Sequence, residues 1–179
     1  MKTPLVLQKF ESRELRICAW FNRACAFRLV RGTFGMVSWL GDGRFWYALM
    51  LALPLAFGWT GLEAAVVMAL ASLAGLGVYR AIKSNTQRLR PYMRDDAIML
   101  GASPLDQYSF PSGHTLHAVS FTLIAVAYLP QLAFLLVPFT LMVAASRVIL
   151  GLHYPSDVAL GAAIGYGLAK LALVIAAGA

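Results

Sequence analysis

Charge is what this sequence has least of. Only 13% of its 179 residues are charged while 60% are hydrophobic, and the mean hydropathy is +0.70. A soluble domain carries about 25% charged and about 45–50% apolar residues. The composition therefore excludes an ordinary water-soluble domain and reads as one membrane-embedded domain, residues 1–179. Cysteine is nearly absent as well. Cys18 and Cys25, if helical, lie about 10 Å apart, too far for a disulfide, and read as two small apolar residues. A short apolar run followed by a small-residue cleavage site is also lacking near the N-terminus, so the first span is expected to act as its own insertion signal.

The net charge of +7 is concentrated rather than spread. Lys2, Lys9, Arg13, Arg16, Arg23, Arg28, Arg31 and Arg44 precede the first strongly apolar stretch. Arg80, Lys83, Arg88, Arg90, Arg94 and Arg147 sit at the ends of apolar segments, and Lys170 stands alone. Nucleic-acid binding requires a solvated basic face; here the cations border lipid-embedded segments, so no nucleic-acid partner is expected.

What is abundant is apolar sequence of spanning length, about 20 residues per helix. The pattern predicts an all-α polytopic helix bundle with about five spans, at 45–60, 61–82, 113–129, 131–152 and 156–178. Pro54 predicts a kink in the first, and turns are expected at Trp59–Gly61 and Pro130–Gln131. In residues 1–40, arginines alternate with Trp20, Phe21, Phe27 and Phe34, which suits an amphipathic helix in the interface, with a weakly apolar sixth span as the alternative. Four arginines within sixteen residues would each cost about 2.5–3.5 kcal/mol near a bilayer centre, so residues from about Glu11 to Leu40 are expected along the interface. With five spans the N-terminus lies on the reactive face; with six it lies opposite.

The one long interior loop, about 84–111, is polar and proline-rich, and loops of that length are usually functional. It lies on the membrane face that also receives three clusters: Lys83 with Arg90 and Pro91; Pro111, Ser112, Gly113 and His114; Ser146, Arg147, His153 and Asp157. Together they describe an anion site. Lys83, Arg90 and Arg147 supply charge, and arginine offers a fork matched to phosphate oxygens. Ser112 and Gly113 open a helix, where free N–H groups favour an anion. Asp157 can fix the tautomer of His153 so that its other nitrogen attacks phosphorus, while His114 protonates the leaving oxygen. His117 reads as a polar residue lining the same cleft, and Asp95 and Asp96 as solvated loop residues. The loop is expected to pack over the surface and bring Arg90 toward Ser112.

Lys83–Pro91 (Lys, six residues, Arg-Pro), Pro111–His114 (Pro-Ser-Gly-His) and Ser146–Asp157 (Ser-Arg, five residues, His, three residues, Asp) closely resemble the type 2 phosphatidic acid phosphatase (PAP2) family of membrane lipid phosphatases. The resemblance implies a phosphohistidine on His153, orientation by Asp157, general acid catalysis by His114 and phosphoryl binding by Lys83, Arg90, Ser112, Gly113 and Arg147, with no metal or other cofactor. It further implies a lipid phosphate substrate in the bilayer, with an extracytoplasmic site in a bacterial inner membrane. Among polyprenyl pyrophosphate, phosphatidate and phosphatidylglycerophosphate, the first is the expected substrate by a small margin. Two other readings remain: a metal-dependent membrane hydrolase using His114, His117, His153 and Asp157, and a non-catalytic lipid-phosphate-binding or transport protein.

Overall fold

The computed structural model describes residues 5–104 and 106–178, with side chains described from residue 11 onward; Lys2 and the Lys9 side chain lie outside the described residues. Among them there are six α-helices and no strand: α1 (Leu5–Asn22), α2 (Arg28–Trp39), α3 (Phe45–Thr86), α4 (Gly113–Tyr128), α5 (Ala133–Ile149) and α6 (Pro155–Ala177). Three helical stretches, Arg28–Thr86, Pro130–Ile149 and Pro155–Ala177, are long and apolar enough to cross a membrane by length and composition.

The first of these is not one rod. Gly58 adopts φ 58°, ψ −132°, a region only glycine occupies without strain, and the chain reverses there into arms 45–57 and 59–86. The reversal is tight, because a Cβ on Gly61 would fall 2.0 Å from the Leu53 carbonyl oxygen. The hairpin therefore turns at Gly58, one residue before the expected Trp59–Gly61, and Pro54 sits inside the first arm. Upstream, α2 runs into α3 through a distorted segment, Leu40–Arg44, in which Gly43 has φ 101°.

Apolar side chains are divided between a core and an outer coat. Trp46, Leu53, Met68, Ile124, Leu136 and Val143 are buried among α3, α4 and α5. Leu55 is 88% exposed and Phe134 93%, as expected where lipid rather than protein covers a helix. The interface between α4 and α6 is built on small residues. A Cβ on Gly161 would meet the Ser112 carbonyl oxygen at 2.5 Å, and one on Gly165 the Leu116 carbonyl oxygen at 2.3 Å. Glycines four residues apart thus let two backbones touch, and that contact carries the start of α4 against the start of α6.

The N-terminal segment makes buried polar contacts with the helix bundle. Glu14 of α1 is buried and accepts from the Ser156 N–H at 2.8 Å. Asn22 donates to the Ile149 and Met99 carbonyls at 2.8 and 2.9 Å. Helix α1 therefore lies across the end of the bundle where α5 finishes and α6 starts. Both cysteines are free and buried there, and burial, with Glu14 and Asp157 nearby, pushes the Cys18 thiol up to about 12.

Candidate active site

Helix ends converge at this end of the bundle. Lys83 closes α3, His114 opens α4, Arg147 closes α5, and Asp157 stands in the first turn of α6. His153 occupies the turn between α5 and α6. The 84–111 loop folds back over them: the Tyr92 N–H donates to the Gly151 carbonyl at 3.3 Å, the Gly101 N–H to Leu150 at 3.1 Å, and the Ser109 N–H to Arg88 at 2.8 Å. A cavity of about 220 Å³ remains beneath it, lined by Arg90, Asp106, His114, Arg147, His153 and Asp42 among others.

His153 is 2% exposed. Its Nε2 faces Arg90 Nη1 at 3.2 Å. A guanidinium only donates, so Nε2 is the unprotonated nitrogen and the ring proton resides on Nδ1. That nitrogen faces Asp157 Oδ2 at 3.6 Å. The contact is slightly longer than a hydrogen bond. Burial, then the charges of Arg147, Arg90 and Lys83, hold the imidazole well below the usual histidine range. His153 is neutral at neutral pH, with its unprotonated Nε2 against Arg90 at the cavity wall.

The cations differ in how far they are already committed. Arg147 is 3% exposed, donates to Ser38 Oγ of α2, has no carboxylate partner among the described residues, and leaves its Nε without an acceptor. A buried, unopposed guanidinium is costly unless an anion joins it. Arg90 donates through Nε to the Asp106 carbonyl at 2.8 Å, through Nη2 to Asp106 Oδ1 at 3.0 Å, and through Nη1 to the Leu152 carbonyl at 2.8 Å. Lys83 reaches Asp106 Oδ2 and the Tyr79 hydroxyl. Burial raises the Asp106 carboxyl, but Lys83 and Arg90 outweigh it and keep it below the usual carboxylate range.

Asp157 is held from the other side. Its Oδ2 accepts from the Tyr154 N–H at 2.9 Å, and its Oδ1 accepts from Arg88 Nη1 at 2.5 Å. Arg88 in turn donates from Nη2 to Glu14 Oε2 at 2.5 Å. A buried chain of alternating charge thus runs from α1 to the His153–Asp157 pair, with the Arg88 guanidinium stacked 3.9 Å above the Tyr154 ring.

The Pro-Ser-Gly-His cluster divides its labour. Gly113 and His114 line the cavity, whereas the Ser112 N–H donates to the Asp157 carbonyl at 3.1 Å and its hydroxyl pairs with Thr115 at 3.0 Å. Ser112 in this arrangement ties α4 to α6 rather than presenting a free donor. His114 Nε2 faces Asp42 Oδ1 at 3.5 Å. His117 does line the same cleft, stacked on Phe121 with its Nδ1 unpartnered. Ser146 is buried and turned to the Val143 carbonyl at 2.6 Å. Among the described residues no three His, Cys, Asp or Glu side chains converge with the spacing to hold a metal ion.

Sequence reasoning missed Glu14, Ser38, Asp42, Arg88 and Asp106. Asp42 did carry a signal, an acid between Gly41 and Gly43 at the mouth of an apolar run. Glu14 was one of two acids in a basic segment, and Asp106 stood alone between Asp96 and Asp157.

Fold and site together define an all-α membrane protein with a buried His–Asp pair beneath three cations. The pattern of the PAP2 superfamily matches residues 60–178, more than half of the chain, and the protein belongs to that superfamily. Decaprenylphosphoryl-5-phosphoribose phosphatase of Mycobacterium tuberculosis is 38% identical over 96 residues, covering 51% of this chain and 52% of that protein. Phosphatidylglycerophosphatase B of Escherichia coli (strain K12) is 36% identical over 74 residues, 38% of this chain and 29% of that protein. The matches thus span about half the length of the first relative and less than a third of the second. The crystal structure of Aquifex aeolicus LpxE superposes with a TM-score of 0.77 at 24% identity, over 89% of this chain and 93% of that one. A transmembrane PAP2 type phosphatidylglycerolphosphate phosphatase from Bacillus subtilis gives 0.71 at 20% identity, over 96% and 87%. At these identities the likeness is one of fold.

Proposed function

We propose that this protein is an integral membrane lipid phosphatase that works through a phosphohistidine on His153. The observation that carries the reading is the pairing of a neutral, buried His153, whose unprotonated Nε2 faces Arg90 at the cavity wall, with a buried Arg147 that lacks a carboxylate partner. The first is a nucleophile and the second calls for an anion. Nε2 attacks phosphorus as the bond to the lipid oxygen breaks, and His114 donates its proton to that oxygen. Water then attacks phosphorus: the new O–P bond forms as the N–P bond breaks, its electron pair returns to His153 Nε2, the water's proton passes to His114, and inorganic phosphate leaves. Asp157 orients His153 and balances the charge on its ring. Arg147 and Arg90 hold the phosphoryl oxygens, with Lys83 and the start of α4 at Gly113 beside them.

The substrate is a phosphate ester of a membrane lipid. Two of the sequence relatives are named for decaprenylphosphoryl-5-phosphoribose and phosphatidylglycerophosphate chemistry, and polyprenyl pyrophosphate and phosphatidate belong to the same class. The charge of the phosphate site suits all four. The setting is a bacterial inner membrane with the site on the extracytoplasmic side.

Phosphate release by purified protein across these lipids and lipid A, with and without excess EDTA, tests the reading. Release that persists in EDTA is expected. Release abolished by EDTA would favour a metal hydrolase, and no release from any lipid would favour a binding or transport protein.

A further inference from the structure

The Asp106 carboxylate bridges Lys83 and Arg90, two of the cations assigned above to the phosphoryl group. Oδ2 takes Lys83 and the Tyr79 hydroxyl, the latter at 3.2 Å, while Oδ1 takes Arg90 Nη2 at 3.0 Å and the Tyr108 N–H at 3.0 Å. The same guanidinium turns its other amino group, Nη1, to His153 Nε2 at 3.2 Å. One guanidinium therefore separates the carboxylate from the attacking nitrogen. A phosphoryl group bonded to Nε2 spreads its oxygens over just that fork. Its nearest oxygen would then lie beside Asp106 Oδ1, with like charges a few Å apart.

We propose that Asp106 is an internal competitor for the phosphate site, a carboxylate that holds Lys83 and Arg90 together between turnovers and weakens the grip on inorganic phosphate after each one. This rests on the lipid phosphatase reading above. Arg147, without a carboxylate of its own, recruits the substrate phosphate; Lys83 and Arg90 are shared between Asp106 and the phosphoryl group. Three unopposed cations in a largely buried cavity would retain the product, whereas an anchored carboxylate returns to its ligands and displaces it. Asp106 is suited to this because four groups hold it while its side chain remains 35% exposed. Asp42, the other carboxylate of the cavity, faces His114 rather than the Lys83–Arg90 pair.

The test is the inhibition constant of inorganic phosphate against lipid phosphate hydrolysis, for wild type and Asp106→Asn. A unit charge a few Å away at the dielectric of a partly buried site is worth at least ~10-fold in affinity. Asp106→Asn should therefore bind phosphate at least tenfold more tightly, with a lower KM and a lower kcat as release slows. Were Asp106 instead needed to position Lys83 and Arg90, phosphate binding would weaken and KM would rise; that result, or no change, overturns the proposal. Tyr79→Phe supplies a second variant, which removes one ligand of Asp106 and frees a donor on Lys83, so phosphate affinity should rise by a smaller factor. Weaker phosphate binding in that variant would equally count against competition. A wild-type protein that neither hydrolyses lipid phosphates nor binds phosphate refutes the phosphatase reading. An active wild type whose Asp106→Asn variant binds phosphate no more tightly refutes this inference alone.

Discussion

The contact between α4 and α6 sets the distance between the proposed acid and the proposed nucleophile, and Gly165→Ala perturbs it with almost no change in chemistry. The new Cβ would stand 2.3 Å from the Leu116 carbonyl oxygen. That oxygen is helical backbone and cannot swing aside, and an ordinary contact begins near 3.4 Å. Relief therefore requires the helices to separate by about 1 Å at that level. His114 rides on α4, while Asp157 stands in the first turn of α6 and His153 in the turn that leads into it. A displacement of about 1 Å between reacting groups costs about 10²-fold in rate, and overpacking costs about 1–3 kcal/mol in stability. The assay is kcat on a lipid phosphate in detergent, with thermal unfolding in parallel. Gly167→Ala, where a Cβ meets nothing within 4 Å, is the control and should keep its kcat. If Gly165→Ala retains wild-type kcat, the close approach does not position the site.

Other perturbations separate the roles of individual groups. His114→Ala should lose about 10²–10⁴-fold on a lipid alkoxide leaving group but much less on an activated aryl phosphate, whereas His153→Ala should be inactive on both; the opposite pattern would exchange the two roles. Because His153 is held well below the usual histidine range, kcat/KM on the aryl substrate, corrected for substrate ionisation, should persist on the acid side to well below pH 6.5, and a midpoint at 6.5 would contradict its burial among cations. The same shift means that the unfolded chain takes up the His153 proton first, so this group's contribution to stability is full above about pH 6.5 and declines as the pH falls. Arg88→Met leaves Glu14 and Asp157 buried without their cation, and a loss of about 3–5 kcal/mol is expected from such a broken pair, read as a lower unfolding temperature; an unchanged temperature would mean that the chain of charges contributes nothing.

The helices and the motif residues were legible because each rests on local order. Apolar length located the helical segments to within a few residues, and the fixed spacings placed Lys83, Arg90, His114, Arg147, His153 and Asp157 at one end of the bundle. What sequence could not show were contacts between distant elements. Glu14 meets Ser156 across 142 positions, and Ser38 meets Arg147 across 109. No periodicity encodes such pairs. The basic N-terminal segment reads as an interfacial amphipathic helix, because arginines and aromatics dominate its pattern. Its two contacts with the site come from single buried polar residues among them, Glu14 and Ser38. Ser112 is a further case of a distant contact, since the N–H of this helix start donates to the Asp157 carbonyl.

The central claim is covalent: phosphorus passes through His153. Rapid acid-free quenching of the protein with a lipid substrate labelled in its phosphate, followed by mapping of the label, addresses it directly. The expected result is an acid-labile, base-stable label on His153 that forms in the presence of EDTA and is absent from His153→Ala. Label on another residue, or full turnover by His153→Ala, would contradict it.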